Sequence, residues 1–345
     1  MNEENLPLVS ILIPCHNTEQ WVGRAIESAL AQTWPNKEVL VVDDGSTDRS
    51  LEVIRSFGDH ITGCETGPKQ GANAARNRLL EMARGEWVQY LDADDYLLNE
   101  KIAGQLATVT DLERADVLFS PMTLEMWNLG YVVRRVQLLI PPPHDPWSLL
   151  ARWSMPGTHA VLFRRSAIAE IGGWAPNQPC CQEHELYFRM LARGKHFVYS
   201  PRIGAIYRKW SNNTLCTRDP LLTLRNRLLI IDRLADHLQK TGEMTAERSL
   251  AIGQARLECA RALYQRDPSA AIDLASRTRR ACPDLKLQKA ACFPVAYRLA
   301  YQMLGFETAE KLALASRRSR SWMNRAWPRR STLAQPENNS IELPA

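Results

Sequence analysis

The sequence lacks any run of 18 consecutive apolar residues, the length that a membrane-spanning helix needs. Residues 290–306 come nearest, but Pro294, Arg298 and Gln302 interrupt them. The opening MNEENLPLVSILIP also lacks the basic segment of a signal peptide, and its short apolar run predicts a first strand instead. Both absences argue against membrane insertion and favour a cytoplasmic protein.

Metal-binding cysteine spacing and a strong net charge are also missing. The eight cysteines include no C-x-x-C pair, so no zinc site is indicated and free thiols are expected. Lys and Arg number 43 against 38 Asp and Glu, an imbalance too small to indicate a nucleic-acid partner. With 45% hydrophobic and 23% charged residues, the chain has the composition of an ordinary globular protein rather than a disordered or fibrous one.

The first hundred residues alternate between strand and helix patterns. Short apolar runs rich in β-branched residues predict strands at 9–13, 37–42, 61–64 and 87–91. Helical spacing between them predicts helices at 18–31, 48–57 and 71–84. This alternation implies right-handed βαβ units, and therefore an α/β fold with a mostly parallel sheet flanked by helices.

Two acidic clusters come just after predicted strands. Asp43 and Asp44 follow the second strand, and Asp92 and Asp94 follow the fourth. Ligands of open α/β sheets bind at the carboxyl ends of the strands, and clustered carboxylates there would repel each other without a cation. The two clusters together indicate Mg²⁺ or Mn²⁺, whereas a D-x-D turn taken alone is common and favours an acidic surface turn.

The second half of the chain predicts further strands and then helices only. Strands are expected at 117–122, 131–139, 158–164 and 197–207, with helices at 147–153, 165–171 and 183–191. From residue 220 the predicted elements are helices at 221–239, 245–265, 269–278 and 285–304.

A change in charge supports a domain boundary near residue 220. Residues 221–345 carry 21 Lys and Arg against 12 Asp and Glu, whereas the preceding part has an acidic excess. We therefore expect a domain at 1–219, divided into halves at 1–115 and 116–219. A helical annex at 220–328 and a disordered tail at 329–345 would follow it.

An ordered set of short motifs runs along the first half of the chain. In order they are VSILIPCHN (9–17), QTWP (32–35), VDDGSTD (42–48), GANAARN (71–77), GEW (85–87) and LDADD (91–95). GGW (172–174) and QEHELYFR (182–189) continue the series. The set resembles the family 2 glycosyltransferases, which are inverting enzymes of GT-A fold, over roughly residues 8–212. The motifs are individually common but specific as an ordered set.

The resemblance implies roles for residues on the donor side of the site. Pro14 and His16 would line the nucleotide pocket, and Asp44 would hold the base or the ribose. Arg76 would support the phosphates or the metal-binding turn. Asp92, with Asp94, would contact the nucleotide sugar and bind the Mn²⁺ or Mg²⁺ that bridges the diphosphate.

The resemblance also places the catalytic base at Glu183, where the family usually has Asp. Inverting transfer needs one carboxylate to take the acceptor proton and a cation to stabilise the leaving diphosphate. We expect burial near Trp174, Tyr187 and Phe188 to raise the pKa of Glu183 towards neutrality.

The sequence departs from the family pattern at two further positions. Gln182 stands where the first acidic residue of the base motif is common. Trp210 stands where many members carry His near the diphosphate, which leaves Lys209 or Arg208 to interact with the phosphates.

The resemblance implies transfer of a sugar from a nucleoside-diphosphate sugar to a hydroxyl acceptor. That acceptor would be a glycan, a lipid-linked molecule or a surface polysaccharide. Two alternatives remain open: a catalytically silent nucleotide-sugar- or glycan-binding module, and a nucleotidyltransferase. Against the latter, no glycine-rich basic loop follows the first strand. The basic, Trp-containing segment 317–327 would allow peripheral contact with the inner face of a membrane.

Overall fold

A computed structural model describes residues 6–109, 111–211, 218–288 and 290–326, with side chains described up to Ser316 in the last range. The predicted tail at 329–345 and the side chains of the basic segment 317–327 lie outside the described residues. Within the described residues, no helix is both long and apolar enough to cross a bilayer. Cys15, Cys64, Cys259, Cys282 and Cys292 are free thiols.

The strands form two sheets. In chain order they are β1 (Val9–Cys15), β2 (Lys37–Asp44), β3 (Gly63–Gly67), β4 (Trp87–Tyr90), β5 (Tyr96–Leu97), β6 (Val117–Phe119), β7 (Met122–Asn128), β8 (Tyr131–Leu138), β9 (Val161–Arg164), β10 (Phe197–Tyr199) and β11 (Ala205–Lys209). The large sheet has the order β10-β6-β9-β4-β1-β2-β3, and the small sheet has the order β5-β11-β7-β8. In the large sheet only β9 is antiparallel to its neighbours, as the pairing registers show.

Helices cover the large sheet and continue beyond it. They are α1 (Val22–Leu30), α2 (Ser50–Arg55), α3 (Ala72–Met82), α4 (Lys101–Ala107), α5 (Pro146–Ala151), α6 (Arg165–Glu170), α7 (Gln182–Ala192), α8 (Pro220–Thr241), α9 (Ala246–Leu263), α10 (Pro268–Ala281) and α11 (Val295–Ala326). Helix α11 is interrupted at Gly305, where φ is 79°.

The central strand β1 positions the site because it lies where the strand order reverses. Its apolar residues are buried on both faces of the sheet, as the unbroken run Val9–Ile13 predicts. β2 pairs with one edge of β1 and β4 with the other. A crevice therefore opens at the carboxyl ends of β1 and β4, the place where open α/β sheets bind ligands.

One hydrophobic core continues from the sheet into the C-terminal helices. The same cluster of buried side chains includes Leu12 and Phe163 of the sheet, Leu186 of α7, Leu234 of α8 and Leu257 of α9. The helices after residue 220 are thus packed on the sheet domain rather than tethered to it.

The structure corrects several sequence-based boundaries. The strand predicted at 117–122 ends at Phe119, and the strand predicted at 158–164 begins only at Val161, after a 3₁₀ turn at Thr158–Ala160. The helix predicted at 285–304 begins only at Val295, because Pro294 cannot continue a helix from the preceding residues. The extended stretch predicted at 197–207 divides into β10 and β11, which belong to different sheets. Asp43 and Asp44 are the last two residues of β2 rather than the residues after it.

Candidate functional site

A cavity of about 670 Å³ occupies the crevice at the carboxyl edge of the large sheet. All seven of the predicted site residues line it: Pro14, His16, Asp44, Arg76, Asp92, Asp94 and Glu183. They come from the ends of β1, β2 and β4 and from helices α3 and α7. The fold therefore brings together residues that are up to 169 positions apart in the sequence.

His16, just after β1, has a defined tautomer. Its Nδ1 lies 2.9 Å from the backbone oxygen of Asp44, and its Nε2 lies 2.9 Å from Nζ of Lys69. A carbonyl can only accept and an ammonium can only donate, so Nδ1 carries the proton and Nε2 accepts from Lys69. This pair of bonds holds Lys69 at the cavity.

Asp44 fixes the loop that leads into α3. Its two carboxylate oxygens accept hydrogen bonds from the backbone N–H groups of Gln70 (2.6 Å) and Gly71 (2.8 Å). The loop reaches this position because Gly45 adopts φ = +67°, and a Cβ there would lie 2.7 Å from the backbone nitrogen of Lys69. Asp44 therefore shapes the cavity wall as well as lining it.

Arg76 links the end of β4 to the start of α7. From α3 its buried guanidinium donates to Asp92 Oδ1 (2.7 Å) and to Gln182 Oε1 (2.8 Å), and it lies over the ring of Trp174. Gln182 accepts this bond without adding a negative charge. Asp92 is therefore the carboxylate that pairs directly with Arg76.

Asp94 is held by the end of β11. Trp210 Nε1 donates to Asp94 Oδ2 at 2.9 Å, and Arg208 Nη1 donates to the Asp94 backbone oxygen at 3.3 Å. Burial, followed by the charge of Asp92, raises the pKa of the Asp94 carboxyl. A cation between these two carboxylates would remove that unfavourable repulsion.

The two carboxylates fit a divalent cation that is also bound by a substrate. Oδ1 of Asp92 accepts a hydrogen bond from Arg76, and Oδ2 of Asp94 accepts one from Trp210. Within the described part of the chain, no group of three His, Cys, Asp or Glu residues could hold a metal ion. Where Mg²⁺ or Mn²⁺ binds substrate phosphates, one or two carboxylates are the usual protein ligands, and Asp92 and Asp94 could supply them.

Asp95 and His159 form a buried structural pair at the end of the turn that carries Asp92 and Asp94 (residues 92–95, called the acidic turn below). His159 Nδ1 lies 3.1 Å from Asp95 Oδ2, and Asp95 Oδ1 accepts from the backbone N–H of Arg208 at 2.7 Å. Burial lowers the pKa of His159 to about 4, so this histidine is neutral at pH 7. Burial and the neighbouring carboxylates raise the pKa of Asp95. The pair joins β11 to the acidic turn.

Glu183 lies in the first turn of α7 and keeps 32% of its side-chain surface exposed. Its Oε1 lies 3.5 Å from Nδ1 of His184, which is long for a hydrogen bond. Burial raises the pKa of Glu183, but contact with His184 and the charge of Arg76 outweigh it and place the pKa at about 2. The expectation of a pKa raised towards neutrality was therefore wrong, because it considered only the apolar neighbours.

A column of contacts connects Glu183 to the C-terminal helices. The ring of His184 is buried and stacks on Trp153 with centroids 3.8 Å apart. Arg227 of α8 lies 5.2 Å from the Trp153 ring centroid, and it pairs with Glu258 of α9 at 2.7 Å. Trp153 has φ = 60°, a strained conformation for a bulky residue, which persists because packing holds it.

Cations from three segments surround the cavity: Lys69, Arg76, Arg208 and Arg218. Of the two cations proposed from the sequence to serve the phosphates, Arg208 lines the cavity and Lys209 is not among its lining residues. Arg208 is buried and its guanidinium lies over the rings of Trp21 and Tyr96.

Comparisons with known proteins identify the family. The family model described as glycosyl transferase family 2 matches residues 10–172. A relative from Escherichia coli, named UDP-Glc:alpha-D-GlcNAc-diphosphoundecaprenol beta-1,3-glucosyltransferase WfaP, is 37% identical over 190 residues. That match covers 55% of this chain and 72% of the relative. The chain belongs to the family 2 glycosyltransferases.

Other similarities are shorter or concern the fold alone. An uncharacterized glycosyltransferase of Haemophilus influenzae is 41% identical over 105 residues, covering 30% of this glycosyltransferase and 42% of that protein. The structure of S. aureus TarS 1-349 in complex with UDP-GlcNAc superposes with a TM-score of 0.58 at 15% identity, covering 91% of this chain and 92% of that one. The mannosyltransferase PcManGT from Pyrobaculum calidifontis, in complex with GDP-Man and Mn²⁺, gives a TM-score of 0.51 at 15% identity. That match covers 95% of this chain and 89% of that one.

These similarities confirm the predicted family and the GT-A fold with C-terminal helices. The chain is a glycosyltransferase enzyme, so the nucleotidyltransferase alternative has no support. The predicted site residues of this glycosyltransferase share one cavity, and their individual roles stay proposals.

Sequence reasoning missed several residues of the cavity. Lys69 and Arg218 belong to none of the motifs, and Gln182 and Trp210 were noticed only as departures from the family pattern. The position of Lys69, three residues before the first residue of α3, was a usable signal because it places a cation near the expected phosphate site. The contacts of Gln182 and Trp210 join distant segments, and no local pattern indicates them.

Proposed function

We propose that this enzyme transfers a sugar from a nucleoside-diphosphate sugar to a hydroxyl acceptor with inversion, in one metal-assisted displacement. One observation carries the proposal: Asp92, Asp94, Arg76 and Glu183 line a single cavity at the switch point of the sheet. That set contains what the chemistry needs, namely two carboxylates for a cation, a guanidinium and a carboxylate that can act as a base.

The donor half of the cavity suits a nucleoside diphosphate. Pro14, His16 and Asp44 line the part formed by β1 and β2, where the base and ribose would bind. Asp92 and Asp94 would hold Mn²⁺ or Mg²⁺, which when bound supplies positive charge that stabilises the leaving diphosphate. The bound UDP-GlcNAc of TarS and the GDP-Man with Mn²⁺ of PcManGT support a donor of this class.

Glu183 is the proposed base. As the acceptor oxygen forms its bond to the anomeric carbon, the hydroxyl proton moves to the Glu183 carboxylate and the bond to the diphosphate breaks. A pKa of about 2 keeps Glu183 ionised throughout the neutral range, but it also makes the carboxylate a weak base, so proton transfer must accompany formation of the bond to the anomeric carbon. Arg76 connects the proposed base to the acidic turn, because it donates hydrogen bonds to Gln182, the residue before Glu183, and to Asp92.

The acceptor we propose is a hydroxyl-bearing glycan, including a lipid-linked one used in polysaccharide synthesis. The name of the E. coli relative, which gives a diphosphoundecaprenol-linked sugar as its acceptor, supports this class. A lipid-linked acceptor presents its hydroxyl at a membrane surface, so we propose that the enzyme acts peripherally at the inner face of the membrane.

Substitution of the proposed base tests the reaction. The wild type and Glu183→Gln are incubated with Mn²⁺ and either UDP-glucose, UDP-GlcNAc or GDP-mannose, and both donor binding and sugar transfer to a GlcNAc-diphospholipid are measured. We expect Glu183→Gln to bind donor normally and to lose about 10²–10⁴-fold in transfer, the usual contribution of a general base. Glu170→Gln, on the exposed surface of α6, serves as the control.

Two outcomes would count against the proposal. Near wild-type transfer by Glu183→Gln would place the base elsewhere. Donor binding by the wild type without transfer to any hydroxyl acceptor would favour the silent binding module.

A further inference from the structure

The first turns of α11 expose an apolar surface. Val295, Leu299, Met303 and Leu304 are 60%, 55%, 79% and 53% exposed. Between residues 294 and 304, Gln302 is the one exposed residue that is not apolar, and none of the exposed residues is charged. A helix that faces only water normally carries charged residues on its exposed side, so this surface is expected to contact something apolar.

Cations adjoin this apolar surface. A second cavity, of about 450 Å³, lies between α10 and α11 and shares Val295 and Leu299 with the exposed row. Three cations line it: Arg279, Lys286 and Arg298. Asp284 is the one carboxylate among its lining residues. Nε of Arg298 is buried and has no hydrogen-bond partner among the described residues.

We propose that these residues dock the enzyme on an anionic membrane surface. Val295, Leu299, Met303 and Leu304, together with Arg279, Lys286 and Arg298, are called the α11 surface below. The apolar row lies on α11, and the cations beside it come from α11 (Arg298), from α10 (Arg279) and from the segment between the two helices (Lys286). Apolar side chains beside cations suit a lipid interface, where the former enter the acyl boundary and the latter contact phosphates. The inference rests on the proposed action at a membrane and names the surface that makes the contact; the docking itself needs neither donor nor metal.

Charge favours a membrane over a second copy of the chain. A two-fold contact would bring this surface against itself, and three cations with one carboxylate on each side would repel each other. An anionic lipid surface instead complements the cations and covers the apolar row. The excess of basic residues after residue 220 acts in the same direction.

Vesicle co-sedimentation of the full chain, without donor or metal, tests the proposal. Vesicles of phosphatidylcholine alone are compared with vesicles that also contain phosphatidylglycerol. We expect the wild type to bind the anionic vesicles. The Leu299→Glu and Met303→Glu variants should each bind them at least tenfold more weakly, because each substitution places a carboxylate at the interface. Leu229→Glu changes an equally exposed leucine of α8 and should bind like the wild type.

A charge variant separates the two parts of the surface. Arg279→Glu with Lys286→Glu should remove the preference for phosphatidylglycerol, since each surface cation contributes about fivefold to such binding. Binding that survives both apolar substitutions would overturn the proposal. A second result would also overturn the proposal. The wild type would not bind vesicles, and size-exclusion chromatography without vesicles would show an oligomer that the Met303→Glu substitution dissociates. The α11 surface would then bind a second copy of the chain.

Discussion

At the scale of single residues, the contact between Glu183 and His184 controls the ionisation of the proposed base. Burial alone would raise the pKa of Glu183, and contact with His184 at 3.5 Å lowers it. The ring of His184 stacks on Trp153, so its position beside Glu183 depends on that aromatic neighbour. We therefore expect His184 to influence the pH range in which Glu183 can act as a base.

Replacing His184 by Phe tests this dependence. The variant keeps a ring to stack on Trp153 but removes the partner of the Glu183 carboxylate. Burial then acts with less opposition, so the pKa of Glu183 rises from about 2. The wild type should keep kcat/KM down to the pH at which it unfolds, whereas His184→Phe should lose it at a clearly higher pH. Identical pH profiles for the two proteins would show that His184 does not control the base.

The residues of the acidic turn could be predicted from sequence, but their partners could not. Asp92 and Asp94 are two residues apart after an apolar strand, and this local pattern places them at a sheet edge. The Trp210 bond to Asp94 joins positions 116 residues apart, and the Gln182 bond to Arg76 joins positions 106 apart. Such contacts exist only once the small sheet and α7 have packed against β4.

At the scale of elements, a close contact of backbone and side chains joins the three central strands. Ser10 Oγ of β1 donates to Glu38 Oε1 of β2 at 2.6 Å and accepts from the backbone N–H of Gly85 at 2.8 Å. The backbone N–H of Arg84 donates to the same Glu38 carboxylate at 2.7 Å. This buried network sets how β4 enters the sheet beside β1.

Adding one methyl group at Gly85 should disturb the position of β4 beside β1. A Cβ on Gly85 would lie 2.6 Å from Ser10 Oγ and 2.8 Å from the Leu8 backbone oxygen, so β4 would have to move. We expect Gly85→Ala to reduce the free energy of unfolding by about 1–3 kcal/mol, measured by urea denaturation. Gly67→Ala is the matched control because its Cβ would meet nothing within 4 Å. Equal stability of both variants would contradict the packing described.

The elements were predictable where the signal is local. Apolar runs and helical spacing located β1 to β4 and α1 to α3 correctly, with boundaries that differ by a few residues. The antiparallel insertion of β9 between β4 and β6 and the separate small sheet were not predictable, because they depend on pairing between distant strands. Pro294 was a local signal that should have moved the start of the last helix.

At the scale of the whole molecule, the C-terminal helices help to build the site. Arg233 of α8 lies 3.3 Å from Glu185 of α7, and Arg227 of α8 reaches Trp153 beneath His184. Leu234 and Leu257 share the core cluster of the sheet. The annex predicted at 220–328 is therefore packed against the helix that carries the proposed base.

We expect the chain to unfold as one cooperative unit. Because one core includes the sheet, α7, α8 and α9, loss of the helices would expose apolar surface of the sheet domain. Differential scanning calorimetry should show a single transition with equal calorimetric and van't Hoff enthalpies. A fragment of residues 1–219 should be less stable than the full chain. Two separate transitions, with a fully stable fragment, would mean that the annex folds independently.

The central claim is that Asp92 and Asp94 bind the donor nucleotide through a divalent cation, and calorimetric titration with UDP, GDP, CMP and dTDP tests it most directly. Each nucleotide is titrated with Mn²⁺ and with EDTA, into the wild type and into Asp94→Asn. We predict that one nucleotide binds the wild type only with Mn²⁺. Asp94→Asn should bind it about 10–100-fold more weakly, because interactions with a charged group contribute about 1.5–3 kcal/mol. Equal binding in EDTA, or undiminished Mn²⁺-dependent binding by Asp94→Asn, would contradict the claim.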